Sequence, residues 1–167
     1  MTEVKKTTDI LLLTDFSACA GHAMQLALLW GKVTPVHLHV YHNLQGMPPD
    51  WDTLPAAERE AFPAVVHAAA AAQRSFDQWR TGLEASGIHY TWQIGGGLLI
   101  DHVMSFVEMH PVDYVFIGSR GSAARKYDRL GSQAELVTRR VPCPVLIAKD
   151  KVPPAIRQVI FASTFDL

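Results

Sequence analysis

The chain has 167 residues, 49% of them hydrophobic, and sets 15 Lys and Arg against 16 Asp and Glu for a formal charge of -1. That length suits one domain with a buried core, and the even charge balance excludes a global field that would attract nucleic acid or an anionic membrane. Two cysteines without metal-ligand spacing and the lack of an apolar run of about 18 residues argue against a disulfide scaffold or a spanning helix, so a cytoplasmic protein is expected.

The apolar run "DILLLT" (9–14) stops at "DFS" and suits a buried, central strand covered on both faces. Ser17 can cap the helix that follows, in which Ala20, Ala23, Ala27 and Trp30 share a face with Met24 and Leu28 beside it, up to about Lys32. "PVHLHVY" (35–41) is a second strand, and the proline-rich stretch 42–55 reads as a long mobile connection. An Ala-rich helix spans 56–86, bent or started at Pro63 and terminated by Gly87. Strand three is 88–94. "GGG" (95–97) turns into a helix over 98–109 that Pro111 stops, and strand four is 113–118. A glycine-rich basic loop, a helix from Gln133 to about Arg140 and a last strand at 144–149 complete the pattern. Alternating strands and helices predict an α/β, Rossmann-like open sandwich: a five-stranded parallel sheet with helices on both faces. The tail 157–167 echoes 8–18, with Val159 on Ile10, Phe161 on Leu12 and Phe165 on Phe16. It is therefore expected to be a linker and extra strand (151–167) beyond a domain at 1–150, resembling the start of a second copy, although a generic apolar strand with a chance Phe would look the same.

The loop after strand four carries the chemistry. Gly118 and Gly121 are followed, nine residues later, by Gly131 and Ser132 at a helix start. Glycines let successive backbone N–H groups turn inward as an anion-binding nest, and the helix adds its unpaired N–H groups and positive dipole end. In an open α/β sheet such a site lies beyond the carboxyl ends of the strands, where Asp15 also falls. Each feature has a plainer reading: Ser132 with Glu135 makes an S-x-x-E capping box, and Arg120, Arg125, Lys126 and Arg129 are compatible with an ordinary solvated loop. Neither a Gly-Lys-Ser/Thr phosphate loop nor G-x-G-x-x-G occurs. Backbone amides would have to hold any phosphate.

The pattern G-x-x-G, nine residues, G-[S/T] resembles the nucleotide-binding signature of the universal stress protein family. "ILLLTDFS", "LHVY" and "GSQAELVTRRVPCPVLIAK" are similar to that family's first strand, second strand and closing helix and strand, so the resemblance covers residues 8–149. It implies a homodimer that binds ATP, with Mg²⁺ or Mn²⁺ held mostly by the phosphates. It also implies roles for individual residues: Asp15 at the ribose or metal with Thr14 lining the pocket, and Val40, at the end of strand two, offering its backbone to adenine. Gly118 would lie against the ribose, with Gly121, Gly131, Ser132 and the amide of Gln133 on the phosphates. Gln133 departs from the small apolar residue frequent there, which leaves a backbone contact intact.

A nucleotide-dependent regulatory or stress-response module is the expectation. The alternatives are a slow ATPase or phosphotransferase, for which no residue declares a catalytic role, and a non-nucleotide structural dimer. Elsewhere, His37 and His39 share a strand face and could seed a metal site, yet no third ligand has recognisable spacing, and a structural or surface role is expected. Cys143 reads as a small buried residue. The four tryptophans read as packing or surface anchors rather than a nucleic-acid platform.

Overall fold

The computed structural model describes residues 6–120, 132–149 and 151–156. The tail 157–167, with its expected extra strand, lies outside the described residues. Five strands, β1 (Thr8–Thr14), β2 (Val36–Asn43), β3 (His89–Gly95), β4 (Tyr114–Gly118) and β5 (Val145–Ala148), form one sheet in the order β3-β2-β1-β4-β5. All four pairings are parallel. β1 is central, as its uninterrupted apolar run predicts: Ile10 and Leu12 face one layer, and Leu11 and Leu13 the other.

On one face lie α1 (Ala18–Gly31) and α3 (Pro63–Ser86), whose Ala23, Met24, Ala27, Phe76 and Leu83 pack with Ile10, Leu12, Leu38, Val40 and Phe116. Small side chains on α1 let that helix sit close to the sheet. α4 (Leu99–Met109) and α5 (Ser132–Arg140) cover the other face, placing Val103, Ala134 and Val137 against Leu11, Leu13, Val115 and Ile117. Each large apolar side chain fully buried in these layers contributes roughly 1.5–3 kcal/mol.

Local signals account for the boundaries. Ser17 caps α1, its Oγ accepting from Ala20 N at 3.3 Å. The expected helix over 56–86 is divided: α2 (Ala56–Arg59) is a single turn, and α3 starts with Pro63, whose missing N–H costs nothing in a first turn. Gly87 closes α3 in the left-handed region at φ 70°.

The stretch after β2 differs from the mobile connection the sequence suggests. Met47 is buried, turns are closed by Trp51 N–H to Pro48 O and Leu54 N–H to Asp50 O, and Arg59 donates to the carbonyls of Leu54 and Asp52 while lying over the Trp51 ring. A side chain from the following helical turn therefore pins the segment.

Candidate functional site

The chain runs from β1 to β2 and β3 on one side, then returns to β4 and β5 on the other, so strand order reverses between β1 and β4. Neighbouring connections diverge at that point and leave a crevice outside the carboxyl ends of the two strands. Leu13 is in register with Ile117, which brings Thr14 and Asp15 beside Gly118 and Ser119.

The turn after β1 is built from side-chain to backbone bonds. Thr14 Oγ1 accepts from Phe16 N at 2.9 Å, and Asp15 Oδ1 accepts from Ser17 N at 3.0 Å. Two such turns in succession reverse the chain and force Phe16 into the left-handed region at φ 58°, a conformation costing an ordinary residue roughly 1–2 kcal/mol. The Phe16 ring is held by His42, Trp79 and Trp92, with centroids at 5.2, 5.0 and 5.8 Å. Phe16, Trp79 and Trp92 pack against the core under α1 and α3, and Trp92 is itself stacked on Phe76 at 4.4 Å. On the β4 side, Ser17 Oγ donates to Arg120 O at 3.3 Å, and Ser119, fully buried, donates its N–H to Ala148 O.

Gly118 has a structural reason to be glycine. A Cβ there would lie 2.7 Å from Ala20 N and 2.7 Å from the Cys19 carbonyl carbon, so the first turn of α1 can approach β4 only over a bare backbone. α5, joining β4 to β5, runs antiparallel to them and presents its N-terminus at the same end of the sheet. It begins at Ser132 itself, one residue earlier than expected, and the Glu135 carboxylate is taken by Arg139 at 2.8 Å.

Of the expected nucleotide-site residues, Thr14, Asp15 and Gly118 are brought together, and Ser132 and Gln133 occupy the exposed first turn of α5. Gly121 and Gly131, like Arg125, Lys126 and Arg129, lie outside the described residues. Val40 is not at the end of strand two: β2 continues to Asn43, and Val40 is 1% exposed and in register with both Leu12 and Trp92. The residue level with Thr14 is His42, whose Nδ1–H donates to Thr14 O at 2.8 Å. The apolar run stops at Tyr41, which is why the sequence reading ended the strand too soon. Phe16 and His42 were missed altogether. Their common surroundings arise from the sheet register and an unusual backbone angle, which no local motif announces.

Cys143 is half-buried among the α4–α5 layer and burial pushes its thiol up, in keeping with a packing role. No helix among the described residues is long and apolar enough to cross a membrane.

The sequence model of Usp, the Universal stress protein family, matches residues 6–149. Universal stress protein UspA from Lactobacillus plantarum is similar in structure with a TM-score of 0.72 at 20% identity, over 84% of this chain and 97% of that one. A universal stress protein solved in complex with cAMP gives 0.53 at 18% identity, over 84% and 95%. An Arabidopsis thaliana universal stress protein family protein with AMP bound gives 0.60 at 15% identity, over 86% and 92%. No curated protein matches the chain. With an all-parallel sheet in the same architecture and a family match across nearly its whole described length, this chain belongs to the universal stress protein family.

Proposed function

We propose that this protein is an ATP-binding regulatory module of the stress response, holding the nucleotide at the carboxyl ends of β1 and β4. The observation that carries the reading is the meeting of Asp15 and Gly118 at the strand-order reversal, in a chain whose loop continues with Gly121, Gly131 and Ser132. Asp15 accepts from the ribose hydroxyls, and the amides around Gly121, Gly131, Ser132 and Gln133 hold the phosphates together with the α5 dipole. Thr14 fixes the turn that aims Asp15. Because Val40 lies inside the β1–β2–β3 ladder, the base is met further along β2, beside His42 and the Phe16 ring.

The donors here are hard oxygens, the Asp15 carboxylate and the Ser132 hydroxyl, which fit Mg²⁺ or Mn²⁺ carried in on the phosphates. Such an ion would screen phosphate charge. The relatives solved with cAMP and with AMP support an adenine nucleotide.

A homodimer completes the reading. Among the described residues β5 is an edge strand whose Val145, Leu146 and Ile147 are only half-buried, and a second copy would cover that edge. Binding would act through linkage: a ligand that orders the loop favours whichever conformation presents that surface.

The test is mass spectrometry of nucleotide released from freshly purified protein, with a Mg-ATP titration of wild type and Asp15→Ala. Released adenine nucleotide, and affinity at least tenfold weaker in the variant, support the reading. A wild type with neither bound nucleotide nor affinity for ATP overturns it. Turnover that scales with protein and is lost in Asp15→Ala would favour a slow ATPase instead.

A further inference from the structure

The opposite end of the sheet holds a second polar constellation. Asp9, near the start of β1, is the register partner of His37 on β2, and His39 lies two residues further along the same face. Asp9 Oδ1 is 3.2 Å from His37 Nδ1 and 3.6 Å from His39 Nε2. Among the described residues these three form a group whose donor atoms all lie within 4.8 Å of one another. The sequence supplied the two histidines, and strand pairing adds the third donor.

Asp9 Oδ1 and His37 Nδ1 are at hydrogen-bond distance, whereas His39 Nε2 is not. The 3.6 Å gap between Asp9 Oδ1 and His39 Nε2 is too long for a hydrogen bond and too short to admit a bridging water. Ligand bonds of 2.0–2.1 Å at tetrahedral angles would instead place neighbouring donor atoms about 3.3–3.4 Å apart, between the 3.2 and 3.6 Å that separate Asp9 Oδ1 from the two imidazoles, whose own separation is within 4.8 Å. An octahedral ion would draw them to about 3.0 Å at the same bond lengths.

The supports are also in place. His39 Nδ1 lies 2.9 Å from the Thr91 hydroxyl, so an Nδ1–H bond to that oxygen leaves the Nε2 lone pair facing Asp9, the outer-shell arrangement typical of metal-bound histidine. The main chain of Asp9 is clamped from both sides, its N–H donating to Asp113 Oδ2 at 2.9 Å and its carbonyl accepting from Asp113 N at 2.8 Å. Phe106 packs edge-on to His39 at 5.0 Å, and the His110 ring stacks near it at 6.0 Å. Side-chain exposures of 37% for His37, 23% for Asp9 and 13% for His39 leave the group open to solvent on one side.

We propose that Asp9, His37 and His39 form a Zn²⁺ site with two imidazoles, one carboxylate and a solvent-facing fourth position, on the amino end of the sheet and remote from the nucleotide crevice. Asp9 and Thr14 are five residues apart along β1, about 17 Å at 3.3 Å per residue, and Asp15 follows Thr14.

The experiment is a competition titration of Zn²⁺ against a colorimetric chelator, using the full, tag-free chain without nucleotide. One equivalent of Zn²⁺ at micromolar affinity or better is expected, weakened at least tenfold by His39→Ala and by Asp9→Asn. Thr91→Val, which leaves all three ligands, is expected to weaken it by about tenfold through loss of the outer-shell bond, and it keeps the test open should a ligand variant fail to fold. Co²⁺ in place of Zn²⁺ should give the strong visible absorption of a tetrahedral site in wild type and lose it in His39→Ala. No stoichiometric uptake, or uptake that survives His39→Ala and Asp9→Asn together, overturns the proposal.

Discussion

At the carboxyl end of the sheet the polar side chains turn onto the backbone, whereas at the amino end they turn onto each other. Thr14, Asp15 and Ser17 accept from the amides of Phe16, Ser17 and Ala20, and the main-chain N–H groups and helix dipole gathered at that end suit anions. Asp9, His37 and His39 instead bring oxygen and nitrogen atoms within 4.8 Å of one another, which suits a cation. The contrast follows from the parallel arrangement. β1 to β4 each deliver their connection to a helix at the carboxyl end, where turns and helix N-termini gather. The amino end receives strands already in register, so side chains on adjacent strands meet in rows.

Variants that act on one end should spare the other. The largest effect is expected from Gly121→Val with Gly131→Val, which would fill the space that close backbone approach to phosphate requires. ATP affinity should fall at least 100-fold, about 2.8 kcal/mol, by calorimetric titration, with Zn²⁺ uptake unchanged. If both ligands weaken together, the two ends are not independent.

Gly118→Ala should come next, and it separates structure from ligand binding. The added methyl would meet the first turn of α1, an overpacking worth roughly 1–3 kcal/mol. Chemical denaturation should register that loss in the absence of any nucleotide; unchanged stability would mean that α1 moves aside at no cost.

A pH profile probes the α4-covered face. Burial holds both His39 and His102 below the ordinary value of 6.5. His102 stacks on Tyr41 at 3.6 Å, with Nε2 buried and without a hydrogen-bond partner among the described residues, and the Tyr41 hydroxyl is itself pushed up to about 12 by burial. Lowered histidine values mean that the unfolded chain binds more protons. This contribution is therefore fully present above about 6.5 and is lost as pH falls through the folded values. His102→Phe, which preserves the stack, should flatten the acid slope in metal-free melts monitored by circular dichroism. An unaltered slope would remove His102 from the account.

The smallest effect should come from Glu135→Ala. Its pair with Arg139 is exposed and spaced i, i+4, so about 0.3–0.5 kcal/mol is expected by denaturant titration. A loss above 1 kcal/mol would mean that Glu135 contributes to fixing α5 beyond this pair.

The layered fold was legible in the sequence because its signals are local. "DILLLT" suits a strand covered on both faces, and Ser17, Pro63 and Gly87 mark helix ends through their own backbone preferences. Asp15 and Gly118 could be placed at one end of the sheet by strand order alone. What escaped depends on pairing across the sheet. His42 and Asn43 extend β2 because Ile94 and Gly95 lie opposite them, although neither is a strong strand former. Asp9 joins His37 and His39 across 28 residues through register, so no ligand spacing could have revealed it. Arg59 pins the stretch after β2 by reaching two carbonyls, a contact that composition does not encode.

The division of labour between the two ends is tested most directly by amide NMR of the isotopically labelled chain, titrated first with Mg-ATP and then, in a separate sample, with Zn²⁺. Mg-ATP is expected to shift the amides of Asp15, Phe16, Gly118 and Gln133 while those of Asp9, His37, His39 and Thr91 stay in place, and Zn²⁺ to do the reverse. Mg-ATP shifts centred on the histidine row, or none at Asp15 and Gly118 at saturating nucleotide, would contradict that division.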